Sequence, residues 1–417
     1  MDDIDIPNEY ITNISSILLN NEVKMFKKET DIYDIVNSLL EKNQSEEPFF
    51  IVNLGDIVRQ YKKWMTYLPN VKPFYAVKCN PDPVILRLLA DLNINFDCAS
   101  QNEIAKIINM KVDPSRIIFA NPCKWNSQIK FSRAHDVDLL TFDSENELYK
   151  IKLYHPEANL LLRIKTDDSK SMCAFSCKFG VDMDEVKNIL SVAKGLKINV
   201  SGISFHCGSG CKDPGAFTGA IKNARQIFDI AKDMGFKFDT LNLGGGFPGV
   251  DTEIISFKDI AETINIAINE YFSNIEGLKL IAEPGRFFVA SSHTLVMSVI
   301  NKKVKTDENG EKIIIYYCND SVYNNLNNLI MDHFVVNENN LFPFNERHEK
   351  KYKSVLYGGS CDSLDIIAKD IQLPDLSIGE SCYLTNVGAY CVVWLPKSQD
   401  IDGFNGFQPT ISKYVLT

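Results

Sequence analysis

Residues 73–100 read PFYAVKCNPDPVILRLLADLNINFDCAS, and this stretch contains one complete unit of the pattern that decides the fold. A short apolar run (72–78) is followed by a segment with the apolar spacing of a helix (81–92) and by a second apolar run (94–100). Such runs predict buried strands, and the spacing between them predicts a helix. A strand, a helix and a strand in succession favour two parallel strands with the helix packed against them.

The same alternation continues along the chain. Six further strand-like runs follow: RIIFAN (116–121), DLLTFDS (138–144), NLLLRIK (159–165), VSGISFHC (200–207), TLNLGGG (240–246) and LKLIAEPG (278–285). Eight strand-and-helix units are the count of a closed (β/α)8 TIM barrel, so we predict an α/β fold with a barrel over residues 47–288. The segment FIVNLGDIVRQYKKWM (50–65) is predicted to be the helix that precedes the first of these strands.

After residue 288 the pattern changes to strand-like runs with few helices between them. We therefore predict a second, mostly β domain over residues 289–417. Residues 1–46 do not show the strand-and-helix alternation of the barrel, and we expect them to add a strand to this second domain.

The composition limits the class of protein. The chain has 417 residues, of which 45% are hydrophobic and 24% charged, and no apolar stretch approaches the ~20 residues of a membrane span. Its acidic start, MDDIDIPNEY, lacks the regions of a signal peptide, so we expect a cytoplasmic protein whose eleven cysteines are reduced. The cysteine spacings lack the CxxC and histidine pairs of a zinc site, and we expect no metal. The net charge of −10 argues against nucleic acid as a partner and suits a cationic substrate.

Polar residues follow the predicted strands at their C-terminal ends, where barrel enzymes carry their chemistry. In chain order these are Lys78, Asp97, Asn121, Asp143, Arg163, His206, Gly244 to Gly246, and Glu283 with Gly285 and Arg286. Because side chains alternate along a strand, Phe74, Ala76 and Lys78 share one face. We therefore predict that Lys78 points into the mouth of the barrel.

The loops after strands seven and eight, LGGGFPG (243–249) and EPGR (283–286), stand where this fold usually binds phosphate. Glycines let backbone N–H groups approach an anion, and Arg286 can add a charge-assisted hydrogen bond. Taken alone, a glycine triplet more commonly marks a tight turn, and an isolated histidine such as His206 is more often a core residue. The pairing of the two loops favours phosphate, and the neighbouring Gly208-Ser209-Gly210 favours a ligand site at His206.

A lysine opposite a phosphate pocket suits pyridoxal 5′-phosphate. The lysine amine attaches the cofactor aldehyde, and an acid beside the pyridine nitrogen keeps that nitrogen protonated. Glu283 is the candidate acid, and a structural ion pair with Arg286 is the alternative.

These residues lie in a series of motifs that resembles eukaryotic ornithine decarboxylase, a family of fold-type III pyridoxal-phosphate enzymes. In chain order the motifs are PFYAVKCN (73–80), FDCAS (96–100), ANPCK (120–124), TFDSENEL (141–148), SFHCGSGC (204–211), LGGGFPG (243–249), AEPGRFFVAS (282–291), CDSLD (361–365), and GAY (388–390) followed by FNGFQPT (404–410). The resemblance covers nearly the whole chain. It implies a TIM barrel with a sandwich-like β domain, decarboxylation of L-ornithine to putrescine and CO2 in polyamine biosynthesis, and a homodimer whose active sites are shared across the interface.

The resemblance also implies a role for each site residue. Lys78 would carry the cofactor, Glu283 would face the pyridine nitrogen and His206 would stack on the ring. The other cofactor-binding residues would be Asp97, Arg163, Ser209, Gly245, Gly246, Gly285, Arg286 and Tyr390. The substrate would be bound by Asp332 and, across the interface, by Cys361 and Asp362, with Cys361 helping to return a proton to the α-carbon. Met331 departs from the family, which often has tyrosine at this position.

Three other functions stay open at this point. A racemase on the same fold would keep the lysine but prefers a less protonated pyridine, and Glu283 argues against that. A decarboxylase of lysine, arginine or diaminopimelate would need a different pocket for the distal group. A catalytically inactive relative would only bind the regulatory protein antizyme, which is also open as a partner of an active enzyme. The chain ends soon after FNGFQPT, so we expect it to lack the C-terminal extension of animal members.

Overall fold

The computed structural model of the chain describes residues 21–41, 46–344, 350–391, 407 and 410–417. These residues form two compact units. The first unit comprises Gln60–Phe288, and the second comprises the described residues up to Arg59 together with those from Val289 onward. The motif FNGFQPT lies mostly outside the described residues, as do residues 1–20 and 42–45 of the predicted N-terminal segment.

The strands, in chain order, are β1 (Lys24–Met25), β2 (Phe49–Asn53), β3 (Val71–Ala76), β4 (Asn95–Cys98), β5 (Ile117–Phe119), β6 (Leu139–Phe142), β7 (Asn159–Arg163), β8 (Ser171–Cys173), β9 (Asn199–Ser204), β10 (Ser209–Cys211), β11 (Thr240–Asn242), β12 (Lys279–Ala282), β13 (His293–Thr306), β14 (Lys312–Cys318), β15 (Leu341–Pro343), β16 (Tyr352–Tyr357), β17 (Ile366–Leu373), β18 (Ser381–Thr385) and β19 (Ile411–Leu416).

The α-helices are α1 (Ile32–Leu40), α2 (Leu54–Tyr67), α3 (Pro83–Asp91), α4 (Gln101–Asn109), α5 (Asn126–Ala134), α6 (Glu145–Tyr154), α7 (Val186–Gly195), α8 (Gly215–Asp233), α9 (Phe257–Phe272), α10 (Arg286–Val289) and α11 (Asn328–Met331). Short 3₁₀ turns cover Val77–Cys79, Pro114–Arg116 and Ala290–Ser292. Among the described residues, no helix has both the length and the apolar character that crossing a membrane requires.

The first unit contains a closed barrel of eight parallel strands in the order β3-β4-β5-β6-β7-β9-β11-β12. All eight strands coincide with the predicted apolar runs, and the predicted TIM barrel is confirmed. Its interior holds an apolar cluster made of Phe74, Ile118, Ala120, Leu161 and Ile281, with Leu139 packed against it.

Short capped connections lead from the barrel strands to the helices and so fix the loops at the C-terminal end of the barrel. The side chain of Asp82 accepts hydrogen bonds from the N–H groups of Val84 and Ile85, and Pro83 occupies the first turn of α3. The Ser100 hydroxyl caps α4 only two residues after β4 ends, and Ser144 caps α6 in the same way. Residues at strand ends are therefore held close to the barrel mouth.

The second unit is mainly β, as the sequence predicts. Its nine-stranded sheet has the path β1-β19-β2-β13-β14-β16-β17, and β15 and β18 pair beside it. The strand β1 from the N-terminal region pairs in parallel with β19.

The prediction of a helix over residues 50–65 is wrong at its start. Phe49–Asn53 form strand β2, which pairs with β13 on one side and β19 on the other, and the helix α2 begins only at Leu54. Residues 47–59, which the sequence assigned to the barrel domain, accordingly belong to the second unit. The error arises because both partners of β2 lie more than 200 residues further along the chain, where a local pattern carries no sign of them.

Candidate active site

Lys78 lies in the 3₁₀ turn of Val77–Cys79, directly after β3, and not within the strand that the two-residue period predicted. The proline at position 81 favours an extended conformation at Asn80, where φ is −157° and ψ is 105°, and the turn carries the chain towards α3. The Nζ atom of Lys78 lies 2.7 Å from Oδ2 of Asp97, which is fully buried at the end of β4. The amine is thus held at the barrel mouth while 43% of its side chain is exposed.

Glu283 is buried immediately after β12. Its Oε1 accepts a hydrogen bond of 2.6 Å from Nδ2 of Asn242 at the end of the adjacent strand β11. Burial and the nearby charge of Asp97 raise the pKa of Glu283 to about 7, although Lys78 opposes this change. This carboxyl group can therefore hold a proton near neutral pH.

His206 follows β9 and carries a neutral ring. Its Nδ1 accepts a hydrogen bond of 3.0 Å from the N–H of Gly208, which places the ring proton on Nε2. Burial, helped by the positive charges of Arg163 and Lys78, holds the pKa of His206 well below its ordinary value. The ring centroid of Phe175 lies 5.0 Å away in an edge-on contact.

Arg163 is the last residue of β7. Burial lowers the pKa of its guanidinium, and the carboxylates of Glu283, Asp143, Asp97 and Asp168 act in the opposite direction. The guanidinium carbon lies 5.1 Å from the ring centroid of Phe179, at a distance typical of a cation–π contact. It supplies a positive charge between the acidic strand ends.

The predicted anion site is assembled from neighbouring strand ends. An N–H group of Arg286 donates a hydrogen bond of 2.9 Å to Oγ of Ser209 at the start of β10. Gly246 has a φ of 118°, and a Cβ atom at Gly245 would lie 2.6 Å from Nε2 of His206, so both positions require glycine. Gly285 directly precedes Arg286 in the loop after β12.

The remaining predicted residues lie in the second unit. Asp332 is buried at the end of α11, whereas Met331 before it is exposed. Oδ2 of Asp362 accepts a hydrogen bond of 2.5 Å from the hydroxyl of Tyr323. Together with the N–H of Leu364, this contact holds the pKa of Asp362 below its ordinary value, so its carboxylate is ionised at neutral pH.

Two other features of the second unit bear on the predicted site. Cys361 is an exposed free thiol beside Asp362. Tyr390 has a φ of 58°, which is uncommon for a large side chain and often marks a functional position. The functional roles of the second-unit residues remain predictions.

Sequence reasoning missed two polar residues of this site. Asn242 holds Glu283, and its place two residues before the glycine triplet at a strand end was a signal that could have identified it. Glu103 in the first turn of α4 has a pKa raised by burial, and the charges of Lys78 and Asp97 also act on it. The pattern Ser-x-x-Glu at residues 100–103 indicates only a helix cap.

Two of the polar residues that were expected at strand ends form hydrogen bonds with backbone groups of neighbouring loops. Oδ2 of Asp143 accepts a hydrogen bond from the N–H of Gly180, and Nδ2 of Asn121 donates to the carbonyl of Ala99. These contacts shape the loops around the barrel mouth.

The residues present fit pyridoxal 5′-phosphate. The glycines of the anion site leave backbone exposed where side chains would otherwise fill the space. A lysine amine, a buried acid and an anion site lie at the ends of adjacent strands, which is the donor set that the aldehyde, the ring nitrogen and the phosphate require. Within the described part of the chain, Oδ1 of Asp97 is buried at this end of the barrel without a hydrogen-bond partner.

Comparisons with known proteins agree with this fit. The family described as "Pyridoxal-dependent decarboxylase, pyridoxal binding domain" matches residues 54–290. Antizyme inhibitor 2 of Xenopus laevis is 42% identical over 399 residues, covering 93% of this chain and 85% of that protein. Ornithine decarboxylase of Rattus norvegicus is 41% identical over 396 residues, covering 93% and 84%.

A solved structure gives the same result at the level of the fold. The arginine decarboxylase of Paramecium bursaria Chlorella virus superposes with a TM-score of 0.85 and 36% sequence identity, covering 92% of this chain and 100% of that one. Since the family match spans more than half of the chain and the relatives span most of it, the chain belongs to the pyridoxal-dependent decarboxylases, and its cofactor is pyridoxal 5′-phosphate.

Proposed function

We propose that this chain decarboxylates L-ornithine to putrescine and CO2, and so supplies putrescine for polyamine biosynthesis. One observation carries the proposal. The Lys78–Asp97 ion pair, the buried Glu283 and the Arg286–Ser209 contact lie at one end of the barrel, in a chain similar to an ornithine decarboxylase.

Pyridoxal phosphate supplies an electron sink for the electrons of the bond to the departing carboxylate. The barrel residues bind and orient it. Lys78 attaches its aldehyde and is held by Asp97. Glu283 holds a proton at the pyridine nitrogen, which suits a carboxyl group with a pKa of about 7, and the neutral ring of His206 covers one face.

The remaining cofactor contacts are with the phosphate. Ser209, Gly245, Gly246, Gly285 and Arg286 bind it from the barrel, and Tyr390 binds it from the second domain. The contact between Arg286 and Ser209 supports this assignment because it brings a positive charge and a hydroxyl donor beside the glycine loops.

The substrate contacts come from the second domain in this proposal. Asp332 and Asp362 bind the distal ammonium of ornithine, and Cys361 helps to return a proton to the α-carbon. The depressed pKa of Asp362 supports this role because an ionised carboxylate pairs well with an ammonium group. Cys361 and Asp362 act on the site of the other subunit of a homodimer, which works in the cytoplasm.

A second candidate function follows from the similarity to an antizyme inhibitor. In this alternative the chain is a catalytically inactive protein that binds antizyme. A protein that only binds does not need a lysine paired with a buried aspartate or a buried acid with a raised pKa, and both are present. We therefore place catalysis first and antizyme as a further partner.

Release of CO2 from ornithine, lysine and arginine in the presence of pyridoxal phosphate tests the proposal. We expect the highest kcat/KM for ornithine and a value roughly 10–200-fold lower for lysine, which differs by one methylene group. Lys78→Ala is the control without catalysis. If arginine or lysine gives the highest kcat/KM, that amino acid and not ornithine is the substrate. Antizyme binding without release of CO2 would establish the second candidate function, an inactive antizyme-binding protein.

A further inference from the structure

The inward face of the barrel carries a layer of four polar side chains, which we name the polar layer: Asp97, Thr141, Ser204 and Glu283. They lie on or directly after β4, β6, β9 and β12, which are alternate strands of the barrel. In an eight-stranded barrel, alternate strands contribute the four side chains of one interior layer.

The strand register shows that all four residues face inward. Asp97 pairs with Ile118 and Thr141 pairs with Leu161, and both partners belong to the apolar cluster inside the barrel. Ser204 pairs with Asn242, which in turn pairs with Ile281 of the same cluster. Glu283 is two residues beyond Ile281 and shares its face, because side chains alternate along a strand.

The register also places the four residues at one height. Asp97 pairs with a residue of β5 that pairs in turn with Leu139 of β6, and Thr141 lies two residues beyond Leu139. Thr141 pairs with a residue of β7 that pairs with Gly202 of β9, and Ser204 lies two residues beyond Gly202. Ser204 pairs with a residue of β11 that pairs with Ile281 of β12, and Glu283 lies two residues beyond Ile281. A rise of two residues for every two strands is the stagger of a barrel with a shear of eight, so these positions form one layer.

Three oxygens of the polar layer have no hydrogen-bond partner within the described residues: Oδ1 of Asp97, Oγ1 of Thr141 and Oγ of Ser204. All three side chains are buried, with exposures of 0%, 1% and 3%. Buried polar atoms that lack a protein partner are usually hydrogen-bonded to ordered water. Because three such atoms fall in one layer, a single water cluster can satisfy them together.

We propose that Thr141 and Ser204 are positioning residues, whose hydroxyl groups hold ordered water between Asp97 and Glu283 and thereby control how readily Glu283 loses its proton. The inference deepens the proposed function and rests on it in taking Glu283 as the acid beside the cofactor. No residue of the second domain takes part.

The electrostatics of the layer determine the direction of the effect. Lys78 forms an ion pair with Asp97 at 2.7 Å. Burial and the charge of Asp97 raise the pKa of Glu283 to about 7, so Glu283 is the group of the layer whose proton can be followed near neutral pH. Water held by the two hydroxyls donates hydrogen bonds to Glu283 when it ionises, and its loss makes ionisation less favourable. Within the described part of the chain, the other charged and titratable groups around the layer are Arg163 on β7, Asp143 after β6, Asp168 after β7, Cys98 on β4, Glu103 on α4, His206 after β9 and Lys124, whose Nζ donates to the carbonyl of Thr141.

Infrared spectroscopy of the full-length chain can measure this proton directly, both without cofactor and after loading with pyridoxal phosphate. The C=O band of a protonated carboxyl group is followed against pH, and the band that disappears in Glu283→Gln belongs to Glu283. We expect a wild-type midpoint of about 7 in the cofactor-free chain. Thr141→Val and Ser204→Ala should each raise this midpoint by roughly one unit, as the loss of one hydrogen bond to an ionised group implies.

Three control variants separate this role from a structural one. Thr141→Ser keeps the hydroxyl and should restore the wild-type midpoint. Thr240→Val removes a buried hydroxyl from the same inward face, two residues before Asn242, where the hydroxyl already donates to Asp239. Ser132→Ala removes a buried hydroxyl from the outer helix α5. Neither of the last two should move the midpoint.

An unchanged midpoint in whichever of Thr141→Val and Ser204→Ala folds would overturn the inference, as would equal shifts in the control variants Thr240→Val and Ser132→Ala. A crystal structure in which Asp97, Thr141 and Ser204 bond one another without water would also overturn it. The titration uses no amino-acid substrate. A chain that shows the shifts but releases no CO2 from ornithine would therefore refute the proposed substrate and leave this inference intact.

Discussion

In the proposed function, the chemistry depends on Lys78, because its amine is the predicted attachment point for the cofactor. Its side chain is half exposed at the barrel mouth, yet its Nζ is fixed by the buried carboxylate of Asp97. This combination leaves the amine accessible and oriented at once, which covalent attachment requires.

Lys78→Ala should abolish the visible absorbance of the covalently bound cofactor and nearly all turnover. Lys72→Ala, at an exposed position near the start of β3, the strand that precedes Lys78, is a matched control that should leave both unchanged. Borohydride reduction followed by peptide mapping identifies the attachment site. A labelled lysine other than Lys78 would contradict the assignment.

The proposed role of Glu283 is different, because it depends on a proton that this carboxyl group holds. If this proton stabilises charge in the transition state, Glu283→Ala should lower kcat far more than it weakens binding of the cofactor. Steady-state kinetics and titration with pyridoxal phosphate measure the two effects separately. Equal losses in both, together with an altered circular dichroism spectrum, would favour a structural role for this residue.

At the scale of the element, a buried lysine ties together the ends of neighbouring strands. Nζ of Lys124 donates hydrogen bonds to the carbonyls of Thr141 on β6, at 2.6 Å, and of Asn121 after β5, at 3.0 Å. It also lies 2.8 Å from Oε1 of Glu147 on α6, and Lys150 lies 2.6 Å from the other oxygen of that carboxylate. Burial lowers the pKa of Lys124, and Glu147 opposes this change.

Glu147→Gln should reduce the free energy of unfolding by about 3–5 kcal/mol, because it removes the carboxylate that is paired with the buried ammonium of Lys124. Lys124→Met combined with Glu147→Gln removes the buried charge as well and should cost less than the single change. Urea unfolding followed by circular dichroism compares the three chains. A double variant that is less stable than Glu147→Gln would show that the charge of Lys124 is not the source of the cost.

The elements differ in how far the sequence could predict them. The eight barrel strands are buried on both faces, so each is a nearly continuous apolar run that can be recognised locally. Phe49–Asn53 are just as apolar, but their pairing with β13 and β19 depends on distant parts of the chain, and the local pattern wrongly predicts a helix there. At Lys78 the alternation of side chains predicts a continued strand, although the proline at position 81 marks a change of direction.

At the scale of the whole molecule, the site residues were predictable to very different degrees. Lys78, Glu283 and Arg286 could be identified from their place at strand ends, since the fold brings all strand ends together. Asp332, Cys361, Asp362 and Tyr390 lie outside the barrel, and no periodicity connects them to its mouth. Only the family resemblance suggests them, and in the proposed homodimer the use of Cys361 and Asp362 depends on how two chains assemble.

The proposed homodimer with shared active sites leads to a prediction about mixed dimers. In the proposed homodimer, each active site combines Lys78, His206 and Glu283 of one barrel with Cys361 and Asp362 of the other chain. A two-fold axis then generates two equivalent sites, each built from both subunits. A Lys78→Ala chain and a Cys361→Ala chain should each be nearly inactive alone and should regain activity when they are mixed.

The expected size of this recovery follows from the symmetry. In a mixed dimer, one site receives both substitutions and the other receives neither, so half of its sites are intact. Random exchange places half of the dimers in this mixed form, so activity should approach about one quarter of the wild-type value. Mass spectrometry of differently tagged chains shows whether subunits exchange, and a mixture of Lys78→Ala with Glu283→Ala, both lesions of the barrel, is the control that should stay inactive. Exchange without any recovery would mean that Lys78 and Cys361 serve sites within one chain, because the mixed dimer would then contain no intact site.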